Sequence, residues 1–392
     1  MRPQAVITLL TLVVFAFLAF ALWGLLQSMN AKMNVVESYG VPAATREDAA
    51  FVEEWSVTLT PALVHEMALS PGAKSAFFAL NNDEIIRFDA TNGTRLAKFA
   101  APAKSARIAT DPSGAMPYLM VVSSSTKWTG AIDYVVTTDY FLHALDTAGR
   151  EVWKNRFDPK DVSVLEPIVA SFNGRPAIVL SASRRIICFD TAGVELWNIP
   201  LWHHPWTVTE ADLSGQGSSE LLVALAPKRD IVRIGADGKQ LEPWAKGDGP
   251  SRFKAMKTGG GVYGVSLRQV FGGGQGVRHA LTFFDSQGTA IREIELPPDA
   301  LLLSYSPIAA MDVDGSGTRN WVIALGDGTI LVFSPAGQEL ARHSTGFRLR
   351  SLQPVPQRNG PDLLVTGTQR GLTAWRPIPR RIHPPAAINY PP

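Results

Sequence analysis

The chain has 392 residues, 46% of them apolar and 18% charged, with 33 glycines, 28 prolines and a single cysteine. This composition excludes a disordered or coiled-coil protein and suits a large core of short strands and many turns. A formal net charge of +2 gives no chain-wide basic character, so no nucleic-acid partner is expected, and the lone Cys188 excludes an internal disulfide and a cysteine-built zinc site. After a short N-terminal segment, residues 1–4, no charged residue occurs from Ala5 to Leu26. At about 1.5 Å per residue such a helix spans about 33 Å, enough to cross a hydrocarbon core of about 30 Å. The reading is one transmembrane helix over 5–26. Ala19-Phe20-Ala21 offers a competing signal-peptide cleavage site, but the apolar run continues through Trp23 and Leu26. Arg2 and Lys32 give only a thin positive-inside asymmetry, and long C-terminal domains translocate behind a single anchor. The expected topology is a cytoplasmic N-terminus with an extracytoplasmic bulk, periplasmic or extracellular. Residues 27–52 read as a juxtamembrane tether reaching roughly 25–30 Å if flexible.

Beyond the tether the sequence repeats itself. An alternating apolar strand ends in Asp, a short Gly turn follows, and a second strand often closes on Trp. The clear copies are IIRFDATNGTRLAKF around Asp89 and Gly93, FLHALDTAGREVW around Asp146 and Gly149, and IICFDTAGVELW around Asp190 and Gly193. IVRIGADGKQLEPW, LTFFDSQGTAIREI and ILVFSPAGQELA are degenerate copies. Each reads as a hairpin in which period-2 hydrophobicity pins the register and Gly permits positive φ. Upstream of each lies a second unit, an apolar strand, a polar Gly turn and a strongly apolar strand, clearest in TVTEADLSGQGSSELLVAL and PIAAMDVDGSGTRNWVIAL. Joined, the two units give four strands, here a to d from the inside outward, as in a propeller blade.

Blades are expected near 64–99, 107–157, 167–200, 206–244, 252–296, 307–343 and 349–375. The last lacks its fourth strand, and EEWSVTLT (Glu53 to Thr60) repeats the Trp-bearing outer strand at the other end of the domain. The fold expected over 53–376 is therefore all-β, a seven-bladed β-propeller closed by an N-terminal strand and preceded by one transmembrane helix. The tail 377–392 is Pro-rich and expected to be extended. The Asp-x-x-Gly hairpins with trailing Trp resemble the pyrroloquinoline-quinone-type propeller repeat, and ADLSGQGSSELLVAL and MDVDGSGTRNWVIAL resemble the FG-GAP repeats of integrin-type propellers. The first resemblance implies a quinoprotein-like oxidoreductase as one alternative, although the cofactor-clamping residues of those enzymes find no match here. The second implies a calcium-dependent adhesion or ligand-binding module. Its candidate calcium loop is Asp312, Asp314, Ser316 and Asn320, oxygen ligands at alternate positions of a tight turn, with fewer carboxylates than the family carries. A hydrogen-bonded turn joining two strands is the plain alternative.

Two further features point to binding. Trp202-His203-His204-Pro205-Trp206 links the third and fourth blades, where aromatic rings can stack a partner and imidazoles can take protons or metal, though neighbours on an extended chain point apart. Basic residues also gather in the loops of one propeller face. The b-to-c loops hold Lys127, Arg184, Arg185, Lys228, Arg229, Arg268, Arg278 and Arg370, and the d-to-a loops add Lys104, Arg107, Arg252, Lys254, Arg348 and Arg350. Such a face suits an anionic partner, with Ser123 to Asp139 and Ser266 to His279 as long binding loops. Strand directions put the tether and the C-terminal tail on the opposite face. The leading expectation is a membrane-anchored binding or scaffold module in an envelope protein assembly, with protein partners at the membrane surface, no catalytic residues and no cofactor beyond the candidate calcium.

Overall fold

The computed structural model describes residues 49–60, 64–102, 105–129, 135–157, 167–182, 184–226, 230–245, 252–259, 261–272, 276–297 and 308–382. The apolar segment 5–26, the tether up to residue 48, Lys228 with Arg229, and the chain from residue 383 lie outside them. Among the described residues, twenty-eight strands form seven four-stranded antiparallel sheets. The chain opens with β1 (Phe51–Thr58). Blade one is β2 (Val64–Ser70), β3 (Ala73–Asn81), β4 (Glu84–Asp89) and β5 (Arg95–Ala100), and blade two is β6 (Ser105–Thr110), β7 (Leu119–Thr129), β8 (Val135–Leu145) and β9 (Glu151–Phe157). Blade three is β10 (Ile168–Phe172), β11 (Arg175–Ala182), β12 (Arg185–Phe189) and β13 (Glu195–Pro200), and blade four is β14 (His204–Ala211), β15 (Glu220–Ala226), β16 (Ile231–Ile234) and β17 (Gln240–Ala245). Blade five is β18 (Arg252–Thr258), β19 (Gly261–Gly272), β20 (Gly276–Phe284) and β21 (Ala290–Glu295), and blade six is β22 (Ile308–Asp312), β23 (Arg319–Ala324), β24 (Thr329–Phe333) and β25 (Glu339–Ser344). Blade seven has β26 (Leu349–Val355), β27 (Leu363–Thr368) and β28 (Gly371–Pro377), and β1 is its fourth strand.

The repeated residues have a structural reason. In the turn between strands c and d the Asp carboxylate takes up loop amides: Asp190 Oδ1 accepts from Ala192 N at 2.9 Å and Val194 N at 2.8 Å. The Trp of one blade then reaches the turn of the next. Trp153 Nε1 donates to Thr191 O at 3.0 Å, Trp197 Nε1 to Ala236 O at 2.9 Å, and Trp55 Nε1 to Ala90 O at 2.8 Å. The indole lies against the turn Gly, so that at Gly193, with φ of +82°, a Cβ would come within 2.9 Å of the Trp153 ring. Asp, Gly and Trp thus form one latch between neighbouring blades.

The core follows from period-2 alternation. Among the described residues it comes as seven clusters, each spanning two adjacent blades. On β3, Phe77 and Ala79 pack toward blade seven while Phe78 and Leu80 pack toward blade two. Strands buried on both faces are apolar at successive positions, which is why the b strands read as unbroken apolar runs.

Closure is made by the two ends of the folded chain. β1 runs antiparallel to β28, from Phe51 beside Pro377 to Thr58 beside Gly371. Gly371 sits at φ +142°, and a Cβ there would collide with the Val57 carbonyl oxygen. The folded part extends past β28: a 3₁₀ turn, Pro379–Arg381, lets Ile378 N bond Ala50 O at 2.8 Å and Arg381 Nη1 bond Ala49 O at 3.1 Å, with Ile382 buried against Phe51. Both chain ends therefore leave from the face carrying the a-to-b and c-to-d turns, hereafter the turn face. The b-to-c and d-to-a connections form the opposite, loop face. Two expected long loops are instead strand extensions, with pairing carried out to Thr129 beside Val135 and Gly272 beside Gly276.

Candidate binding face

The rim where blades three and four meet departs most from the repeat. Leu201 closes it from below: its side chain is buried and its N–H bonds Arg184 O at 2.6 Å. The next residue, Trp202, has nowhere to pack and is 89% exposed. His203 is half-buried, His204 is exposed, and Pro205 is buried. The β14–β15 register shifts between Pro205 and Thr207, so Trp206 occupies a bulge and stands 41% exposed. A bulge frees one residue from the ladder and re-aims its side chain, and a proline with no N–H to donate sits readily beside one. Arg184, exposed on the β11–β12 turn, brings Nε to 3.5 Å from His204 Nε2, and Arg185 is half-buried at the start of β12. Two indole faces and a guanidinium at one rim are the side-chain types that anchor protein contacts.

The wider basic face is only partly assembled. Arg370 is exposed on the loop face, in the turn after β27, with its guanidinium 5.4 Å from the Phe347 ring centroid. Arg268 lies within β19 and not in a loop, mostly buried and ion-paired with Glu293. Arg107, Arg252, Lys254 and Arg350 likewise fall inside the inner strands β6, β18 and β26. Lys254 borders a central cavity of about 320 Å³, with Arg319, Asp362 and Glu66 also lining it, and Arg107 pairs with Glu66 at 2.9 Å. Burial in this cavity holds the Asp362 carboxyl above its ordinary range.

In the candidate calcium loop Asp312 Oδ1 accepts from Gly315 N at 2.8 Å and Oδ2 from Gly317 N at 2.7 Å, while Asp314 Oδ1 accepts from Ser316 N at 2.9 Å. Ser316 Oγ accepts from Thr318 N at 3.1 Å, and Asn320 is buried with Nδ2 3.5 Å from Thr318 O. Both Asp312 oxygens are engaged by the loop's own amides. Among the described residues no group of three or more His, Cys, Asp or Glu side chains converges.

No protein-family model matches the chain, and no curated protein matches it in sequence. Solved structures do. BBS1N, crystallised in complex with ARL6DN, is 15% identical with a TM-score of 0.57, over 86% of this chain and 100% of that one. BamB from Moraxella catarrhalis is 16% identical with a TM-score of 0.50, over 86% of this chain and 94% of that one. The chain shares their propeller fold.

Sequence reading missed one arrangement on the outer half of blade two. Ser123 on β7, His143 on β8 and Glu151 on β9 share one face of the sheet. Ser123 Oγ is 2.7 Å from His143 Nε2, and His143 Nδ1 is 2.7 Å from Glu151 Oε2. Ser123 and His143 are buried, whereas the Glu151 side chain is half exposed. Burial holds the His143 pKa below its usual value despite Glu151. All three line a groove of about 520 Å³ walled by Ala100 to Pro102 of the neighbouring blade. The signal in the sequence was polarity out of phase. Three residues before the turn residue the other repeats carry Ile86, Ile187, Val232, Thr282 and Leu331, where blade two carries His143.

Proposed function

We propose that the chain is a single-pass membrane protein, held by residues 5–26 with its N-terminus in the cytoplasm, whose extracytoplasmic propeller of the quinone-type and FG-GAP-like repeat lineage binds a protein partner and scaffolds an envelope assembly. The observation that carries this reading is Trp202, 89% exposed beside Arg184 and Trp206, on the face opposite the one where both chain ends leave. An exposed indole costs hydration in the free protein and gains most on burial at an interface. A tether leaving the turn face points the Trp202 rim away from the bilayer, toward a partner's surface. BBS1N, a propeller of the same fold, was crystallised in complex with another protein, which supports recognition as a use of this scaffold.

Two measurements test the proposal. Cys188 is buried and its thiol is pushed up to about 12 by burial, so it leaves an introduced cysteine as the reactive thiol. A Gln287→Cys variant is expected to take up membrane-impermeant maleimide from the extracytoplasmic side, and labelling only after permeabilisation would reverse the topology. Affinity capture from gently solubilised membranes is expected to retain a membrane partner with the wild type and lose it with Trp202→Ala. Equal recovery with both would remove the rim as the binding site.

A further inference from the structure

We propose that Ser123 is a base-activated nucleophile able to take an acyl group from a small ester, with His143 as its general base and Glu151 as the residue that positions His143. This goes beyond the binding role and does not depend on it.

The chemistry follows from which atoms meet. A carboxylate can only accept, so His143 Nδ1 carries the hydrogen in the 2.7 Å contact with Glu151. The ring is neutral because burial outweighs the carboxylate's pull. Nε2 is therefore the free lone pair, and the Ser123 hydroxyl donates to it at 2.7 Å. Hydroxyl, imidazole and carboxylate stand in the order and within the distances by which a serine is made nucleophilic. The repeat does not require this chain: the position of His143 is apolar in four of the five other hairpins named above, and Ser123, itself buried, ends the apolar run Leu119 to Val122. The groove of about 520 Å³ is lined by Ser123, His143 and Glu151 and gives a ligand somewhere to sit. Lys154 is the cross-strand neighbour of His143, and its Nζ lies 4.1 Å from the centroid of Phe141, which is itself paired with Ser123. An ammonium over the same groove favours the negative charge that an attacked carbonyl develops.

Ser123 Oγ bonds to the carbonyl carbon as its proton passes to His143 Nε2, and the ester C–O bond breaks with departure of the leaving oxygen; His143 Nε2 gives its proton to a leaving alkoxide or, where a phenolate departs unprotonated, to solvent, and is neutral again. Water then attacks the acyl-serine, giving its proton to Nε2. The carbon–Oγ bond breaks, Oγ is reprotonated from His143, and the carboxylic acid leaves.

The test uses the full chain in detergent, a fluorophosphonate probe and peptide mass spectrometry. The expected result is an adduct on Ser123, absent in Ser123→Ala and formed at least tenfold more slowly in Glu151→Gln. The wild-type labelling rate should rise with pH through a midpoint below that of an ordinary histidine, and Glu151→Gln should move that midpoint. Glu151 is half exposed, so this variant is expected to unfold at the wild-type temperature. p-Nitrophenyl acetate should give a burst of about one equivalent of p-nitrophenolate per chain. No adduct on Ser123 while a control serine hydrolase labels in the same tube would overturn the proposal. Labelling indifferent to Glu151→Gln would do the same, leaving the three residues as a polar relay that stitches strands together.

Discussion

The turn face and the loop face of this propeller are built from the same seven blades, yet they obey different rules. On the turn face Asp, Gly and Trp recur because each latch serves its neighbour: Trp153 on the turn of blade three, Trp197 on that of blade four, Trp55 on that of blade one. On the loop face Trp202 forms no such latch. Its indole is exposed, its bulge falls at Trp206, and no other junction repeats its sequence. Repetition marks what holds the ring closed, and departure from repetition marks what is left for function. Blade two makes the same point, since His143 stands where the other hairpins carry Ile86, Ile187, Val232, Thr282 and Leu331.

This contrast can be broken in order of effect. Deleting Phe51–Thr58 removes the fourth strand of blade seven and the Trp55 latch together, and should abolish cooperative unfolding, a loss of the whole stability of about 5–15 kcal/mol. Shortening residues 30–48 should leave the unfolding transition in place. Phe78→Ala empties part of the wedge between blades one and two and should cost about 3–5 kcal/mol in urea unfolding.

Acid should open the closing seam next. His343 is buried between Phe51 and Trp375, at ring-centroid distances of 5.5 Å and 5.3 Å, with neither ring nitrogen bonded among the described residues. Burial lowers its pKa from 6.5 to about 4. The unfolded chain therefore binds this proton first, and stability present above pH 6.5 is lost as pH falls toward 4, by about 2–3 kcal/mol. His343→Leu should flatten the unfolding free energy across that window, and an unchanged slope would contradict the assignment. Gly193→Ala, which forces a Cβ toward the Trp153 ring at positive φ, should cost about 1–2 kcal/mol. Trp202→Ala should shift stability by less than about 0.5 kcal/mol, because its ring touches little in the folded chain.

Much of this fold was legible in the sequence for the reason that makes it stable. Period-2 apolarity and the turn Gly located each hairpin, and the missing fourth strand after Trp375 pointed to the Trp55 segment. The loop face was harder. Arg268 read as a loop cation because it stands just before a Gly-rich run, whereas the ladder continues past it and Glu293 on β21 neutralises it. The Ser123–His143–Glu151 chain was hidden because its members lie 20 and 8 residues apart and meet only through strand pairing. A contact made by register leaves no local motif.

The central proposal is that the Trp202 rim recognises a partner while the turn face holds the ring closed on the side of the proposed anchor. Site-specific photo-crosslinking in intact membranes tests this most directly, with the probe placed at position 202 and, as its counterpart, at exposed Gln287 on the turn face. A discrete protein adduct from position 202, absent from position 287 and suppressed when Arg184 is also replaced by Ala, is the predicted result. Adducts of equal yield from both positions, or from position 287 alone, would contradict it.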